Sequence, residues 1–179
     1  MSRSVSRIRP VNPKLDLDNY LPYLVNRVGN IIAEQFGAEA LAPHHLSIAM
    51  WRVMAVLASK GSQRQIDLSD LTSIEVSTLS RLVTRLVRMG IASRARSASS
   101  TREVVVKLTP KGKAQVARLA PLAREYEAAA IAGVRPDELA TVKDALRRMY
   151  ANMKARQPAA GAGASARPRG RRRPPLAAE

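Results

Sequence analysis

Hydrophobic residues recur at helical spacing over most of the chain. Between residues 15 and 36 they repeat every three or four positions, which predicts a helix with one apolar stripe. The segment FGAEALAPHH interrupts this pattern, and Ser47 is the predicted N-cap of a second helix that runs to about Ser59. The residues KGSQRQ then predict a loop.

A short helix and a longer one follow this loop and are separated by the tight turn TSIE. The short helix is IDLSDL, and the longer one, VSTLSRLVTRLVRM, is predicted to end at Gly90. Two strand-like runs, IASRARS and TREVVVKL, come next and are joined by the small polar stretch SASS. This order of elements predicts a helix-turn-helix followed by a two-stranded β wing.

Two more helices complete the predicted fold, which is mainly α. Thr109 as N-cap with Pro110 at the first position opens an Ala-rich helix to about Ala132, in which Pro121 predicts a kink or a break. Pro136 opens a last helix with a narrow apolar seam of the coiled-coil type. The seam consists of Leu139, Val142, Leu146, Met149, Tyr150 and Met153.

Composition adds a strong preference for a polyanionic partner. The chain has 30 Lys+Arg against 14 Asp+Glu, a net charge of +16. A single window, 76–113, holds nine cations and one anion, Glu103, and the rest of the excess lies mainly in basic segments at 1–14 and 158–179. We expect the first segment to be a flexible arm and 157–179 to be a disordered tail rich in Arg, Pro and Ala.

The absent residue types exclude several kinds of protein. With no Cys, the chain has no disulfide scaffold, thiolate nucleophile or cysteine-based metal site. Only two His, no Gly-rich phosphate loop and no paired carboxylates argue against an enzyme, and nothing calls for a cofactor. There is no apolar run long enough to cross a membrane and no signal peptide, so we expect a soluble cytoplasmic protein.

The helix within the basic window has the pattern of a DNA-reading helix. On a helical wheel, Leu79, Leu82, Val83 and Leu86 form one stripe, and hydroxyls and guanidinium groups occupy the opposite side. Arg81 is the first candidate for a bidentate contact with guanine. The wing arginines Arg94, Arg96 and Arg102 are expected near the tip of the hairpin, where they would reach phosphates or the minor groove. The candidate DNA-binding residues are Ser77, Thr78, Ser80, Arg81, Thr84, Arg85, Arg88, Arg94, Arg96 and Arg102.

From about Leu15 to Arg156 the chain resembles the MarR family of bacterial transcriptional regulators. The resemblance is carried by IDLSDLTSIEVSTLSRLVTRLVRMGIASR, by TREVVVKLTPKG and by LSIAMWRVMAVLA. One departure is Ser100, where members commonly carry an Asp two residues before the wing arginine, so a carboxylate partner of Arg102 is missing.

The resemblance implies a homodimer on a pseudopalindromic operator. Helices 15–36 and 134–156 would interlock as dimerisation helices, 47–108 would form the DNA-binding lobe, and 109–132 would link them. It also implies a repressor that a small aromatic acid or its thioester releases from DNA. The candidate effector-binding residues are Tyr20, Tyr23, Arg27, His44, His45 and Trp51.

Several alternatives stay open at this point. Tyr20, Tyr23 and Trp51 are also typical of ordinary core or dimer packing, and the two His are more typical of capping or solvent exposure than of a zinc site. A non-specific architectural protein of the nucleoid type would also use the high charge. RNA binding is less favoured, because the basic window has no aromatic residue on which bases would stack.

Overall fold

The structure is a computed structural model that describes residues 15–96 and 103–156. The predicted N-terminal arm, the tip of the wing with Ser100 and Arg102, and the predicted C-terminal tail lie outside the described residues. The described chain divides between Ala132 and Gly133 into two units. Within the described ranges, none of the helices has the length and apolar character that crossing a membrane requires.

The first predicted helix is present and ends at Phe36, as predicted, but it begins at Leu21 and not at residue 15. After a 3-10 turn at Leu17–Asn19, helix α1 spans Leu21–Phe36, with Pro22 in its first turn. After Phe36 the backbone leaves the α-helical conformation for a π-helical turn, Gly37–Leu41, and a 3-10 turn, Ala42–His44, within the segment that was predicted to interrupt the helical pattern. The continued turn keeps Phe36, Ala40 and Leu41 buried in the core.

The predicted helix-turn-helix and the helix before it are both present. Helix α2 spans Ile48–Lys60, and its predicted cap is confirmed because the Ser47 hydroxyl accepts a hydrogen bond from the Met50 amide at 3.2 Å. Helix α3 spans Gln65–Thr72, and helix α4 spans Val76–Arg88.

The sheet has three strands where the sequence predicted two. Strands β2, Ala92–Arg96, and β3, Val104–Leu108, form the predicted antiparallel pair. Part of the segment predicted as a loop forms a two-residue strand β1, Gln63–Arg64, which pairs with the other edge of β3. Two residues are too few to show an alternating pattern, so this strand could not be predicted from hydrophobic periodicity.

Helix α5 spans Pro110–Ala130 and passes through Pro121 without a break. The helix contacts the core on both sides of the proline, since Leu119 is buried and Leu122, Ala123 and Tyr126 pack against the core cluster. Burial of this face offsets the hydrogen bond that proline cannot donate. The predicted break is therefore wrong.

The core of the first unit lies beneath α4. It is built from buried residues of α2, α3, α4, both wing strands, α5 and the end of α1 with the turns after it. The largest fully buried side chains are Leu41, Met50, Met54, Leu68, Leu79, Leu86 and Leu119. The periodicity of α4 accounts for its share of this core, because Leu79, Val83 and Leu86 recur at helical spacing.

The second unit consists of helix α6, Pro136–Arg156, which begins at the predicted proline. Its start is fixed by local contacts, since the Glu138 carboxylate accepts a hydrogen bond from the Arg135 amide at 3.0 Å and Asp137 pairs with the Arg135 guanidinium at 2.9 Å. The helix buries no residue completely.

Candidate nucleic-acid interface

Helix α4 has a buried apolar face and an exposed face that carries arginines. Leu79, Val83 and Leu86 are each fully buried, whereas Arg81 and Arg88 are exposed. Within the described residues, these two guanidinium groups make no hydrogen bond or ion pair. Charged side chains on a fixed helix that make no hydrogen bond to the described residues are available to an external partner.

The N-terminus of α4 is capped by a residue that the sequence did not predict. One oxygen of the Glu75 carboxylate accepts hydrogen bonds from the amides of Ser77 and Thr78, at 2.9 and 3.1 Å, and from the Ser77 hydroxyl. The Ser77 hydroxyl is the largest cause that lowers the pKa of Glu75, followed by these amides, with a further contribution from the charge of Arg81. Glutamate is not a preferred cap residue, so composition alone gave little signal.

The C-terminus of α4 ends in the predicted glycine. The Gly90 amide donates to the Val87 carbonyl and the Ile91 amide to the Leu86 carbonyl, both at 2.9 Å. These two bonds are those of a Schellman motif, which requires the left-handed backbone that Gly90 adopts with φ of +70°.

The start of α5 is hydrogen-bonded to this end of α4. Lys111 Nζ donates to the Met89 carbonyl at 2.9 Å, and the Thr109 hydroxyl donates to the Gly90 carbonyl at 2.7 Å. Gly112 lies so close to the backbone of Ile91 that a Cβ atom on this glycine would be 2.1 Å from the Ile91 carbonyl oxygen. Both ends of the candidate reading helix are therefore fixed by the rest of the lobe.

The wing strand β2 braces α4 from the side. Arg94 pairs with Val106 in the middle of the sheet, so the expectation that Arg94 lies near the tip of the wing is wrong. Its guanidinium Nη2 donates to the Thr84 hydroxyl at 3.1 Å and to the Ser80 carbonyl at 3.3 Å, and the Thr84 hydroxyl itself donates to that carbonyl at 2.8 Å. Arg94 and Thr84 thus hold the wing against α4.

Arg85 also has a partner inside the lobe. Its Nη2 donates to the carbonyl of His45 at 3.3 Å, in the turn that precedes α2. His45 has a left-handed backbone with φ of +56°, which places this carbonyl at the end of the 3-10 turn. The side chain of Arg85 remains exposed, so this bond directs it without burying it.

An ion cluster that the sequence did not predict fixes the base of the wing. The Arg64 guanidinium bonds both oxygens of Asp67, at 2.7 and 2.8 Å, and Glu103 at 3.0 Å. This hydrogen bonding lowers the pKa of Asp67 and raises the pKa of Arg64. The cluster connects β1, α3 and the residue before β3, and no local spacing revealed it because Arg64 and Glu103 are 39 positions apart.

The structure does not bring the six candidate effector-binding residues into one cluster. Near the start of α1, the guanidinium carbon of Arg27 lies 5.6 Å from the centroid of the Tyr23 ring, and Tyr20 is exposed. Trp51 instead contacts Phe36 at the far end of α1, with the ring centroids 5.4 Å apart. Phe36 lies about 20 Å from Tyr23 along the helix axis, because the helix rises about 1.5 Å per residue.

Trp51 belongs to an aromatic group on the edge of the core. Phe36 contacts Trp51 on one side and Tyr126 of α5 on the other, at 5.6 Å. The two histidines lie in and just after the 3-10 turn that ends at His44. Among the described residues, no group of three His, Cys, Asp or Glu is placed to hold a metal ion.

Comparisons with known proteins agree on one family. The MarR family model matches residues 46–104. The crystal structure of a MarR family transcriptional regulator from Silicibacter pomeroyi DSS is similar to this chain with a TM-score of 0.72 and 32% identity, over 78% of this chain and 93% of that one. No protein with a curated description matches the sequence.

Two further structures share the fold at lower identity. BpsR of Bordetella bronchiseptica, whose DNA binding is regulated by 6-hydroxynicotinic acid, is 24% identical with a TM-score of 0.66, over 73% of this chain and 98% of that one. A mutant MarR from E. coli complexed with operator DNA is also 24% identical, with a TM-score of 0.65, over 72% of this chain and 92% of that one.

Proposed function

The chain belongs to the MarR family of transcriptional regulators, and from this premise we propose that it binds a pseudopalindromic DNA operator as a homodimer. The observation that carries the proposal is the exposed face of α4, where Arg81 and Arg88 have no hydrogen-bonding partner among the described residues. A helix held at both ends, with free guanidinium groups on its outer face, is suited to the major groove. The E. coli relative complexed with operator DNA supports this assignment.

Phosphate and base contacts divide between α4 and the wing in this proposal. Arg81 reads guanine, and Arg88, with Arg85, contacts the DNA backbone. Arg94, Ser80 and Thr84 act indirectly, because they bond one another and set the angle between wing and helix. Arg96, placed by its backbone at the outer end of β2, and Arg102 are proposed to reach the adjacent groove.

The dimer rests on apolar faces that remain exposed in the single chain. On α1, Val25, Val28 and Ile31 are each exposed by 44% or more. On α6, Val142, Met149 and Met153 are exposed by 41% or more. Large apolar side chains at helical spacing on exposed faces are typical of protein interfaces, and a twofold dimer places two copies of α4 on one operator. We assign 15–36 and 134–156 to this contact, 47–108 to the DNA-binding lobe and 109–132 to the link between them.

The proposed effector is a small aromatic carboxylate or its thioester, and the proposed action is release of a repressor from DNA. The regulation of BpsR by 6-hydroxynicotinic acid supports this ligand class. In this chain the best-placed pair is Tyr23 with Arg27, where an aromatic ring and a guanidinium lie together near the start of α1. A carboxylate would pair with Arg27, and the ligand ring would stack on Tyr23.

Sequence-specific binding is tested by titrating the protein onto DNA from upstream of its own gene and onto scrambled DNA, each at several salt concentrations. We expect a preference of at least about a thousandfold for one fragment, and a loss of that preference in Arg81→Ala. Arg118→Ala is the matched control, because Arg118 is an exposed arginine on α5, outside the proposed interface.

The alternative function is non-specific DNA compaction, which the charge of +16 favours. It predicts equal affinity for all fragments and an equally small effect of Arg81→Ala and Arg118→Ala. That result would contradict the proposed regulator. A positive result supplies the probe for effector screening, in which an aromatic acid is expected to release the labelled operator.

A further inference from the structure

The hydroxyl of Ser77 is fixed as a hydrogen-bond donor within the protein. The lowered pKa of Glu75 keeps its carboxylate ionised at neutral pH, and an ionised carboxylate only accepts hydrogen bonds. The Ser77 proton must therefore point to Glu75, which leaves only lone pairs on the Ser77 oxygen. Toward an external partner, this hydroxyl acts as an acceptor.

The same carboxylate occupies the position where a helix N-terminus would otherwise hold a phosphate. The free amides of the first turn usually attract anions, but those of Ser77 and Thr78 already donate to Glu75. The negative charge of Glu75 also repels a DNA phosphate at this end. These two amides are thus not available to the backbone of DNA, although Ser77 and Thr78 are exposed.

We propose that Glu75 and Ser77 determine part of the operator sequence by selecting an exocyclic amino group, from adenine or cytosine, in the major groove. The only hydrogen-bond donors on the major-groove edges of the bases are adenine N6 and cytosine N4, and both fit an acceptor such as Ser77 Oγ. Glu75 is the positioning residue in this pair, since it orients the hydroxyl and excludes phosphate. This inference rests on the proposed function, in which α4 enters the major groove.

The place of Arg81 makes the inference more specific. Arg81 lies four residues after Ser77, so both side chains share one face of α4 and are separated by about 6 Å along the helix axis. Base pairs are spaced by about 3.4 Å, so the two contacts fall within about two base pairs of each other. The operator half-site should therefore contain an adenine or cytosine within about two positions of a guanine.

The test compares the wild-type protein with Glu75→Ala and Ser77→Ala on duplexes that the wild-type protein selects from a random DNA library. Single base-pair substitutions through the selected half-site locate the position at which an adenine or cytosine is required. We expect the wild-type protein to lose about fivefold to a hundredfold in affinity at that position, and both variants to lose this discrimination.

The variants should differ on unrelated DNA. Glu75→Ala frees two amides and a hydroxyl for contact with phosphate, so the affinity of this variant for unrelated DNA should rise. The slope of log affinity against log salt concentration should steepen by about one unit. Ser77→Ala keeps the carboxylate on the amides, so its affinity for unrelated DNA should stay at the wild-type level. Glu125→Ala removes an equal charge from an exposed site on α5 and should leave the base-pair discrimination intact.

Two results would overturn the inference while leaving the proposed function in place. One is unchanged discrimination at every base pair in both variants, and the other is an equal loss of affinity for selected and unrelated DNA in a folded Glu75→Ala. Circular dichroism checks the fold, and Ser77→Ala decides the question if Glu75→Ala does not fold. If the library yields no preferred sequence with the wild-type protein, the proposed function itself fails.

Discussion

Helices α4 and α6 have similar apolar patterns but opposite surroundings. In α4 three residues of the apolar stripe, Leu79, Val83 and Leu86, are fully buried within their own unit, and Leu82 is half-buried. In α6 the corresponding seam stays exposed, with Val142 at 51% and Met153 at 62%. Periodicity predicts that a helix has an apolar side, but it does not tell which molecule covers that side.

This difference separates two kinds of stability. The lobe around α4 is complete within one chain, so its folding depends on packing inside that chain. In the proposed dimer the exposed seam of α6 is covered by a second chain, so the contribution of α6 to stability should then depend on protein concentration. Four predictions test this contrast, from the largest expected effect to the smallest.

The largest effect is expected from Leu79→Ala in the buried stripe of α4. Truncating a fully buried leucine removes its transfer free energy and leaves a cavity, at a cost of about 2–5 kcal/mol in the free energy of unfolding. Urea denaturation followed by circular dichroism measures this loss, which should be the same at low and high protein concentration. A loss that varies with concentration would show that α4, too, depends on a second chain.

The second prediction concerns Leu146→Asp in the exposed seam of α6. Burying a leucine against a partner contributes about 1.5–3 kcal/mol, and an unpaired carboxylate in the interface adds a desolvation cost. We expect chromatography with light scattering to show a change from a dimer to a monomer of 19.5 kDa. Arg147→Asp is the control that introduces a carboxylate at the neighbouring position and changes the net charge by two units where Leu146→Asp changes it by one. A dimer that survives Leu146→Asp would remove α6 from the proposed interface.

The third prediction concerns the junction of α4 and α5. Gly112→Ala places a methyl group 2.1 Å from the Ile91 carbonyl oxygen, and the required backbone shift should cost about 1–3 kcal/mol. Gly37→Ala is the matched control, since its Cβ would meet nothing within 4 Å and its helical backbone should gain about 0.5–1 kcal/mol. Thermal unfolding of both variants, together with operator binding, measures whether this junction holds α4 in place.

The smallest effect is expected from acid at the N-terminus of α4. Hydrogen bonds lower the folded-state pKa of Glu75 below its ordinary value of 4.5. The stabilisation is therefore complete above about pH 4.5 and is lost as the pH falls through the folded-state pKa. The wild-type protein should lose stability in this range more steeply than Glu75→Gln, and parallel curves would show that the cap contributes nothing.

Local sequence signals predicted most of the fold. Ser47 and Thr109 are preferred caps, Gly90 supplies a left-handed backbone, and Pro136 opens a helix, so each of these boundaries was found at the right place. The errors came where tertiary contacts decided the outcome. Packing against the core carries α5 through Pro121, and strand β1 exists only because β3 offers it an edge.

The candidate interface was predicted as a surface but not as a set of contacts. The helical wheel assigned Arg81 and Arg88 to the exposed side of α4 because their spacing is local. It also assigned Thr84 to that side, but Thr84 is half-buried and accepts a hydrogen bond from Arg94 of strand β2. Pairings between distant positions, such as Arg64 with Glu103, follow from the folded backbone and leave no trace in spacing.

The free guanidinium groups of α4 bear on how this protein can diverge. Arg81 and Arg88 bond no other described residue, so replacing either one costs the fold little. The buried stripe and both ends of the helix carry the stability and can stay as they are. After a gene duplication, one copy can therefore acquire a new target sequence through a few substitutions on one face of one helix, without first evolving a more stable scaffold.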